Sequence, residues 1–313
     1  MAINARNILE LELLHGQEGL GAASGAISTL TVTFDPATTS PGILSVLQGA
    51  RLQWMQSNNT SARTANDSSN YLTVSSVNLT DPANPTLTMV ATGTTNVAAI
   101  TTGDLMYMAP ARGTTVASSD TNVQQFEQIG LGLQLRATSG TQFAIDKANV
   151  GWVANQQTSI GTFSPSILMK LASQVQGRGG ELGLYVAILS PAQWGVLNSA
   201  LATNEVYNQQ SPSFAMSKKT GTDDITIKYN GITIECMSHP FQKDGQYYFV
   251  CDAQMKRIGS VDLTFAVPGK KGDEEYMYPI QGQSVMQRQC RADWQLVNLK
   301  PPSSGIGTGI TYS

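Results

Sequence analysis

The sequence predicts an α+β protein with a β-rich insertion in its first half. Three observations carry this expectation. Strand-like runs crowd the first third of the chain, at Ile27–Phe34, Tyr71–Leu79 and Thr86–Val90. Two helices with start signals flank an apolar run further on, between Ser164 and Leu201. Charge is also partitioned. All ten lysines of the 313 residues fall from Lys147 onward, whereas the stretch from Ala22 to Gln125 holds only Asp35, Arg51, Arg63, Asp67, Asp81, Asp104, Arg112 and Asp120. A chain of this length holds two domains, or one domain with a large insertion.

The start reads as a helix over Ile3–His15. Glu10, Glu12 and the lack of β-branched residues after Ile8 favour helix over strand, and Gly16 is a stop signal. Strands then dominate. Ile27–Phe34 alternates and ends at Asp35-Pro36, while Tyr71–Leu79 and Thr86–Val90 flank the turn residues Asp81-Pro82-Ala83-Asn84-Pro85, a hairpin signal. Leu105–Met108 adds a short strand, and a β-barrel or sandwich-like module is expected over 26–118.

Val123–Leu135 reads as a short helix. Ser164-Pro165 opens a clearer one, with Ile167, Leu168, Leu171 and Val175 on one face and a stop at Gly177-Arg178-Gly179-Gly180. Leu184–Leu189 is uniformly apolar, as a buried strand requires, and Ser190-Pro191 caps a helix bearing Trp194, Leu197 and Leu201. Strands are expected at Ile225–Tyr229, Ile232–Met237, Tyr247–Cys251, Val261–Val267 and Tyr276–Ile280. The longest is expected at Val285–Leu299, where Met286, Cys290, Ala292, Trp294 and Leu296 alternate with polar residues. Pro301-Pro302 should end it, leaving 303–313 as a Gly/Ser/Thr tail.

Composition excludes several classes. Charged residues are 13% of the chain and the formal charge is −3, so no basic field would condense it onto nucleic acid. No stretch approaches the ~20 apolar residues of a spanning helix, and no N-terminal signal peptide is expected. The three cysteines, Cys236, Cys251 and Cys290, read as reduced, buried, small apolar residues.

Catalytic signals are sparse. His15 lies at a helix end, where the helix dipole accounts for it. His239 follows Cys236 closely enough for a Cys–His pair, but a loop His and a core Cys is the blander and favoured reading. No nucleophile elbow and no Cys or His metal spacing occurs, so no catalytic, cofactor-binding or metal residues and no cofactor are assigned. Gly305-Ile306-Gly307-Thr308-Gly309 has no helix after it to receive a phosphate, and Asp273-Glu274-Glu275 reads as a solvated turn. Trp54, Trp152, Trp194 and Trp294 are spaced widely, without Arg clusters, and read as core or interface anchors, together with Arg291. A weakly charged surface without a catalytic set suits lasting protein–protein contact, because permanent interface cores exclude unpaired charge.

Three segments, in order, resemble the tailed-bacteriophage major capsid proteins of the Hong Kong 97 fold. Leu11-Glu12-Leu13-Leu14-His15-Gly16-Gln17-Glu18-Gly19-Leu20-Gly21 is similar to the end of that family's spine helix and the loop after it. The helix from Ser164 to Gln176, the strand Leu184–Leu189 and Ser190-Pro191-Ala192-Gln193-Trp194 resemble the entry to its A-domain. Arg291-Ala292-Asp293-Trp294-Gln295-Leu296, with Pro301 after it, resembles the last peripheral-domain strand. The resemblance implies a Hong Kong 97-like capsid fold with an inserted β-rich domain. Residues 1–25 would end the spine helix, 26–118 form the insertion, 119–183 hold the peripheral and A-domain helices, 184–267 form the A-domain, and 268–313 form the long strand and tail. In the family an N-terminal arm and an extended hairpin precede the spine helix. Here the sequence starts inside that helix, so their counterpart is expected upstream, on a separate chain, or replaced by the β module.

The implied function is that of a non-enzymatic major capsid protein, built into pentamers and hexamers of an icosahedral shell around double-stranded DNA. Its partners would be copies of itself, portal, scaffold or decoration proteins, and packaged DNA through weak non-specific contact, with no membrane. It would be assembled in the host cytoplasm and reside in the virion. The alternatives are an encapsulin-like compartment shell, a tail or decoration protein with an all-β fold, and, more distantly, a hydrolase using Cys236 and His239.

Overall fold

The computed structural model describes residues 2–16, 18–25, 30–35, 37–56, 62–64, 69–81, 84–93, 100–108, 129–139, 141–142, 145–147, 151–208, 225–264, 278–279, 286–287 and 291–311. It is a mixed α+β structure dominated by strands. Helix α1 (Ala2–His15) leads into the first strand, β1 (Gly21–Ala22). Strand β2 (Thr31–Thr33) and the short helix α2 (Pro41–Ser45) follow, then β3 (Arg51–Met55), β4 (Tyr71–Asn78), β5 (Thr86–Thr92) and β6 (Leu105–Met108).

These six strands form one antiparallel sheet in the order β1-β6-β3-β4-β5-β2. Its two ends meet. Ala23 bridges Phe34, and the Ser24 amide donates to the Thr33 carbonyl at 3.0 Å. The sheet therefore closes into a barrel. The inward residues alternate as the strand period requires: Leu52 and Trp54, Leu72 and Val74, Leu87 and Met89 are all buried. Trp54 stacks on Phe34 with ring centroids 5.9 Å apart, and its indole N–H points at the Met89 sulfur at 3.4 Å. The expected hairpin is the β4–β5 pair, with a bulge between Val74 and Ser76 that adds twist. The barrel takes in Gly21–Ala22, ahead of the sequence boundary at 26, and residues 109–128 lie outside the described part. Of the expected strand at Ile27–Phe34, residues 26–29 also lie outside it.

Beyond the barrel come helix α3 (Leu131–Arg136), a minimal hairpin of β7 (Thr141–Gln142) and β8 (Ile145–Asp146), and strands β9 (Asn155–Gln157) and β10 (Gly161–Thr162). Helix α4 (Pro165–Gly177) starts after Ser164, whose hydroxyl meets that of Ser166 and makes no backbone cap. Strand β11 (Gly183–Leu189) and helix α5 (Pro191–Asn208) follow. Here the cap is reciprocal. The Gln193 amide donates to Ser190 Oγ at 3.2 Å, and the Ser190 amide donates to Gln193 Oε1 at 3.0 Å, a capping box.

The remaining strands are β12 (Ile225–Tyr229), β13 (Ile232–Ser238), β14 (Gln246–Cys251), β15 (Met255–Thr264), β16 (Tyr278–Pro279), β17 (Met286–Gln287), β18 (Arg291–Asn298), β19 (Gly305–Thr308) and β20 (Ile310–Thr311). A second six-stranded sheet has the order β12-β13-β11-β14-β19-β9 and mixes parallel and antiparallel pairs. Its β12–β13 turn uses Asn230 and Gly231, both at positive φ, the backbone of a two-residue hairpin loop. Strand β14 shows how the sheet is covered. Tyr247, Phe249 and Cys251 face α4 and α5, whereas Tyr248 and Val250 join the apolar cluster of α1, α3 and the barrel interior.

Two expectations need correction. The segment 303–313 is not a tail. After a short 3-10 turn at Pro301–Ser303, β19 lies between β14 and β9, and β20 pairs with β10. Its glycines are there for packing. A Cβ on Gly305 would stand 2.8 Å from Leu171, and one on Gly307 would overlap the Tyr247 ring. Of the strand expected at Val285–Leu299, Arg291–Asn298 and, separately, Met286–Gln287 are strands, but alternating burial is not seen where it is described. Residues 288–290 fall outside the described part, and within β18 Trp294, Gln295 and Leu296 are all half-buried. The reason is that β18 pairs only with β15 among the described residues, so no third strand or sheet face sorts its side chains into in and out. The longest described strand is β15, with ten residues.

Candidate functional site

A group of buried polar side chains lies at the seam between the barrel and the second sheet. His15 ends α1 and is fully buried. Its Nε2 stands 2.7 Å from the Phe241 carbonyl, which only a protonated nitrogen can approach, so Nδ1 is the acceptor and meets the Tyr248 hydroxyl at 3.1 Å. The helix-dipole account of His15 is therefore replaced: the ring holds α1 to β14 and to the loop before it.

Three residues on, Glu18 is buried too. Its Oε1 lies 2.6 Å from Arg136 Nη2 at the end of α3, and its Oε2 stands 3.3 Å from the Tyr248 oxygen. Arg136 also donates to Gln246 Oε1, and Gln246 Nε2 donates to the Tyr248 oxygen at 2.8 Å. Lys243, from the β13–β14 connection, is buried and donates to the Gly19 carbonyl at 2.7 Å. Glycine makes this possible, since a Cβ at Gly132 would overlap the Glu18 carboxylate.

The charges follow from this geometry. Burial alone would raise the Glu18 carboxyl, but the Lys243 ammonium and the Arg136 guanidinium outweigh it and hold it below the usual carboxylate range. Burial and the nearby Lys243 charge lower His15, against the pull of Glu18, so the imidazole is neutral at pH 7. Burial, with the Glu18 charge behind it, raises Tyr248 and keeps the phenol a donor. Beside this network is a cleft of ≈ 310 Å³. Its lining includes the polar Glu18, Arg136, Lys243 and Gln246 and the apolar Ala22, Leu105 and Ile310.

The residues singled out from sequence are scattered. Trp54 is a barrel-core side chain. Trp152 is half-buried and donates to the Leu299 carbonyl at 3.3 Å. Trp194 is half-buried on α5 against the α4–α5 core. Trp294 carries the Arg257 guanidinium 5.2 Å from its ring centre. Arg291 sits in β18 opposite Thr264, and its side chain, like Cys290, is outside the described part. Of the five, only Arg291 and Trp294 share an element, β18.

Cys236 and His239 diverge. Cys236 is buried among apolar side chains, where burial pushes its thiol up to about 12. His239 turns to Glu10, 3.6 Å away, and accepts the Phe241 amide. Cys251 is likewise a buried free thiol. Among the described residues no three His, Cys, Asp or Glu side chains cluster as metal ligands, and no helix is long and apolar enough to cross a membrane.

No model of a known protein family matches the chain, and no curated protein matches it. The seam residues were missed because each reads as an isolated polar side chain. The available signal was Gly130-Leu131-Gly132 and Gly16 to Gly21, two glycine-punctuated segments of the kind that let backbones come close.

Proposed function

We propose that this chain is the major capsid protein of a tailed double-stranded DNA bacteriophage. Copies would assemble into pentamers and hexamers that tile an icosahedral shell of the Hong Kong 97 type. The observation that carries this reading is the ribbon of β15 and β18. Residues Lys256–Gly259 are exposed along it, and Ile258 is 57% exposed. A two-stranded ribbon is marginal in water by itself and needs a covering surface. Another copy of the chain supplies one in a shell.

Three further features support the reading. The ribbon is fixed at its base: Gln134 of α3 bonds the Leu296 carbonyl and the Asn298 amide, and Gln295 bonds the Ile129 carbonyl. Helix α4, strand β11 and helix α5 follow one another as the resemblance requires, whereas the tail or decoration alternative calls for an all-β chain. The low charge suits many shallow contacts between copies and only weak contact with packaged DNA. In the virion the closed barrel offers a hydroxyl-rich outer module for capsomer or decoration contacts.

The test is expression of the full chain followed by negative-stain electron microscopy and sedimentation. Shells, rings or capsomers are the expected products. A chain that stays a folded monomer at high concentration overturns the proposal.

A further inference from the structure

Among the described residues, basic side chains outnumber carboxylates around the seam cleft. Two cations, Arg136 and Lys243, line it with one carboxylate, Glu18. The Lys243 ammonium has three N–H groups, is buried, and finds one acceptor among the described residues, the Gly19 carbonyl. Arg136 makes its contacts to Glu18 and Gln246 through Nη2, and 46% of its side chain is exposed. Buried cations with unspent donors are costly unless something accepts from them. Apolar side chains, Ala22, Leu105 and Ile310, also line the cleft. Small-molecule sites combine such apolar lining with a few convergent polar groups, and ≈ 310 Å³ is within their size range.

We infer that the seam cleft binds a small aliphatic carboxylate, its head between Arg136 and Lys243 and its hydrocarbon body against Ala22, Leu105 and Ile310. Burial and the Arg136 charge disfavour the charged form of Lys243, and a bound monoanion would offset both. A phosphate dianion would bring a second negative charge towards Glu18. A bound guest spans both halves of the seam, because Ala22 and Leu105 belong to the barrel and Lys243 and Ile310 to the second sheet region. The site is independent of whether copies of the chain assemble.

The test is isothermal titration and thermal unfolding of the full chain with acetate, butyrate and hexanoate, and with phosphate, at constant ionic strength against chloride. Saturable binding is expected, tightening roughly three- to fourfold per buried methylene along the series. Arg136→Gln should weaken butyrate at least tenfold. Ala22→Leu, which keeps both cations and adds bulk to the apolar lining, should weaken hexanoate more than acetate. If Arg136→Gln does not fold, the Ala22→Leu comparison and the chain-length trend decide. Absence of saturable binding, affinity independent of chain length, tighter binding of phosphate, or unchanged affinity in Ala22→Leu overturns the inference.

Discussion

Arg136 closes the outer side of Glu18, with Nη2 2.6 Å from Oε1. The pair is unequal, since the carboxylate is buried and the guanidinium half exposed. Removing the buried partner is the costlier change, because it leaves Lys243 without its nearby countercharge inside the protein. Glu18→Gln is expected to destabilise the chain by about 3–5 kcal/mol in urea unfolding. Arg136→Gln should cost less, because Lys243 still faces the carboxylate and water reaches the vacated side. Equal losses would mean that Glu18 is not the centre of the network.

The neutral imidazole of His15 gives the seam a defined pH response. Its folded-state value is lowered from the ordinary 6.5, so on acidification the unfolded chain takes up the proton first. The stability tied to His15 is complete above pH 6.5 and is lost as pH falls below it, by at most about 1.4 kcal/mol per pH unit. Glu18, also lowered, acts in the same direction but only below about pH 4.5. His239 is lowered by burial and contributes in the upper window as well. The clean measurement is therefore the difference between the native chain and His15→Gln, followed from pH 7.5 to 5. That difference should shrink as pH falls, and a constant difference would rule out a buried neutral His15.

How much of this was legible in the sequence depended on whether the signal was local. The β4–β5 hairpin, helix α1 and the α4–β11–α5 succession carry their own start, stop and turn residues, and Ser190 with Gln193 even carries its capping box. The seam carries none of that. His15 meets Phe241 and Tyr248 more than two hundred residues away, and nothing near His15 announces it. The strand at Gly305–Thr308 was hidden for a related reason. Its glycines signal flexibility in isolation, and only the Tyr247 ring and the Leu171 side chain, both distant in sequence, reveal that they make room. Alternation failed in β18 because period-2 patterning records a two-sided environment, and a two-stranded ribbon does not have one.

That role of glycine gives a paired test. Gly307→Ala puts a methyl group into the Tyr247 ring, with Ile160 Cδ1 only 2.7 Å away, and overpacking of this kind costs about 1–3 kcal/mol. Gly195 lies within helix α5 with nothing within 4 Å of a Cβ. Gly195→Ala should stabilise by about 0.5–1 kcal/mol. Thermal unfolding of the two variants should move in opposite directions, and a neutral Gly307→Ala would place Tyr247 elsewhere.

The ribbon allows assembly to be separated from folding. Ile258 lies opposite Gln295 in the β15–β18 pair, and its side chain is mostly exposed in the single chain. Nothing in the monomer's core depends on it, so Ile258→Glu should leave the unfolding midpoint within about 0.5 kcal/mol of the native chain. If another copy covers this face, the same substitution buries an unpaired carboxylate at the contact, which costs several kcal/mol at every equivalent interface of the lattice. The expected result is a folded, soluble protein that sediments as monomer or small oligomer where the native chain forms particles. Ile258→Val keeps the apolar surface and should still assemble. Native-like particles from Ile258→Glu would remove the ribbon face from the contact, and a lowered unfolding midpoint in the monomer would mean that Ile258 serves the fold instead.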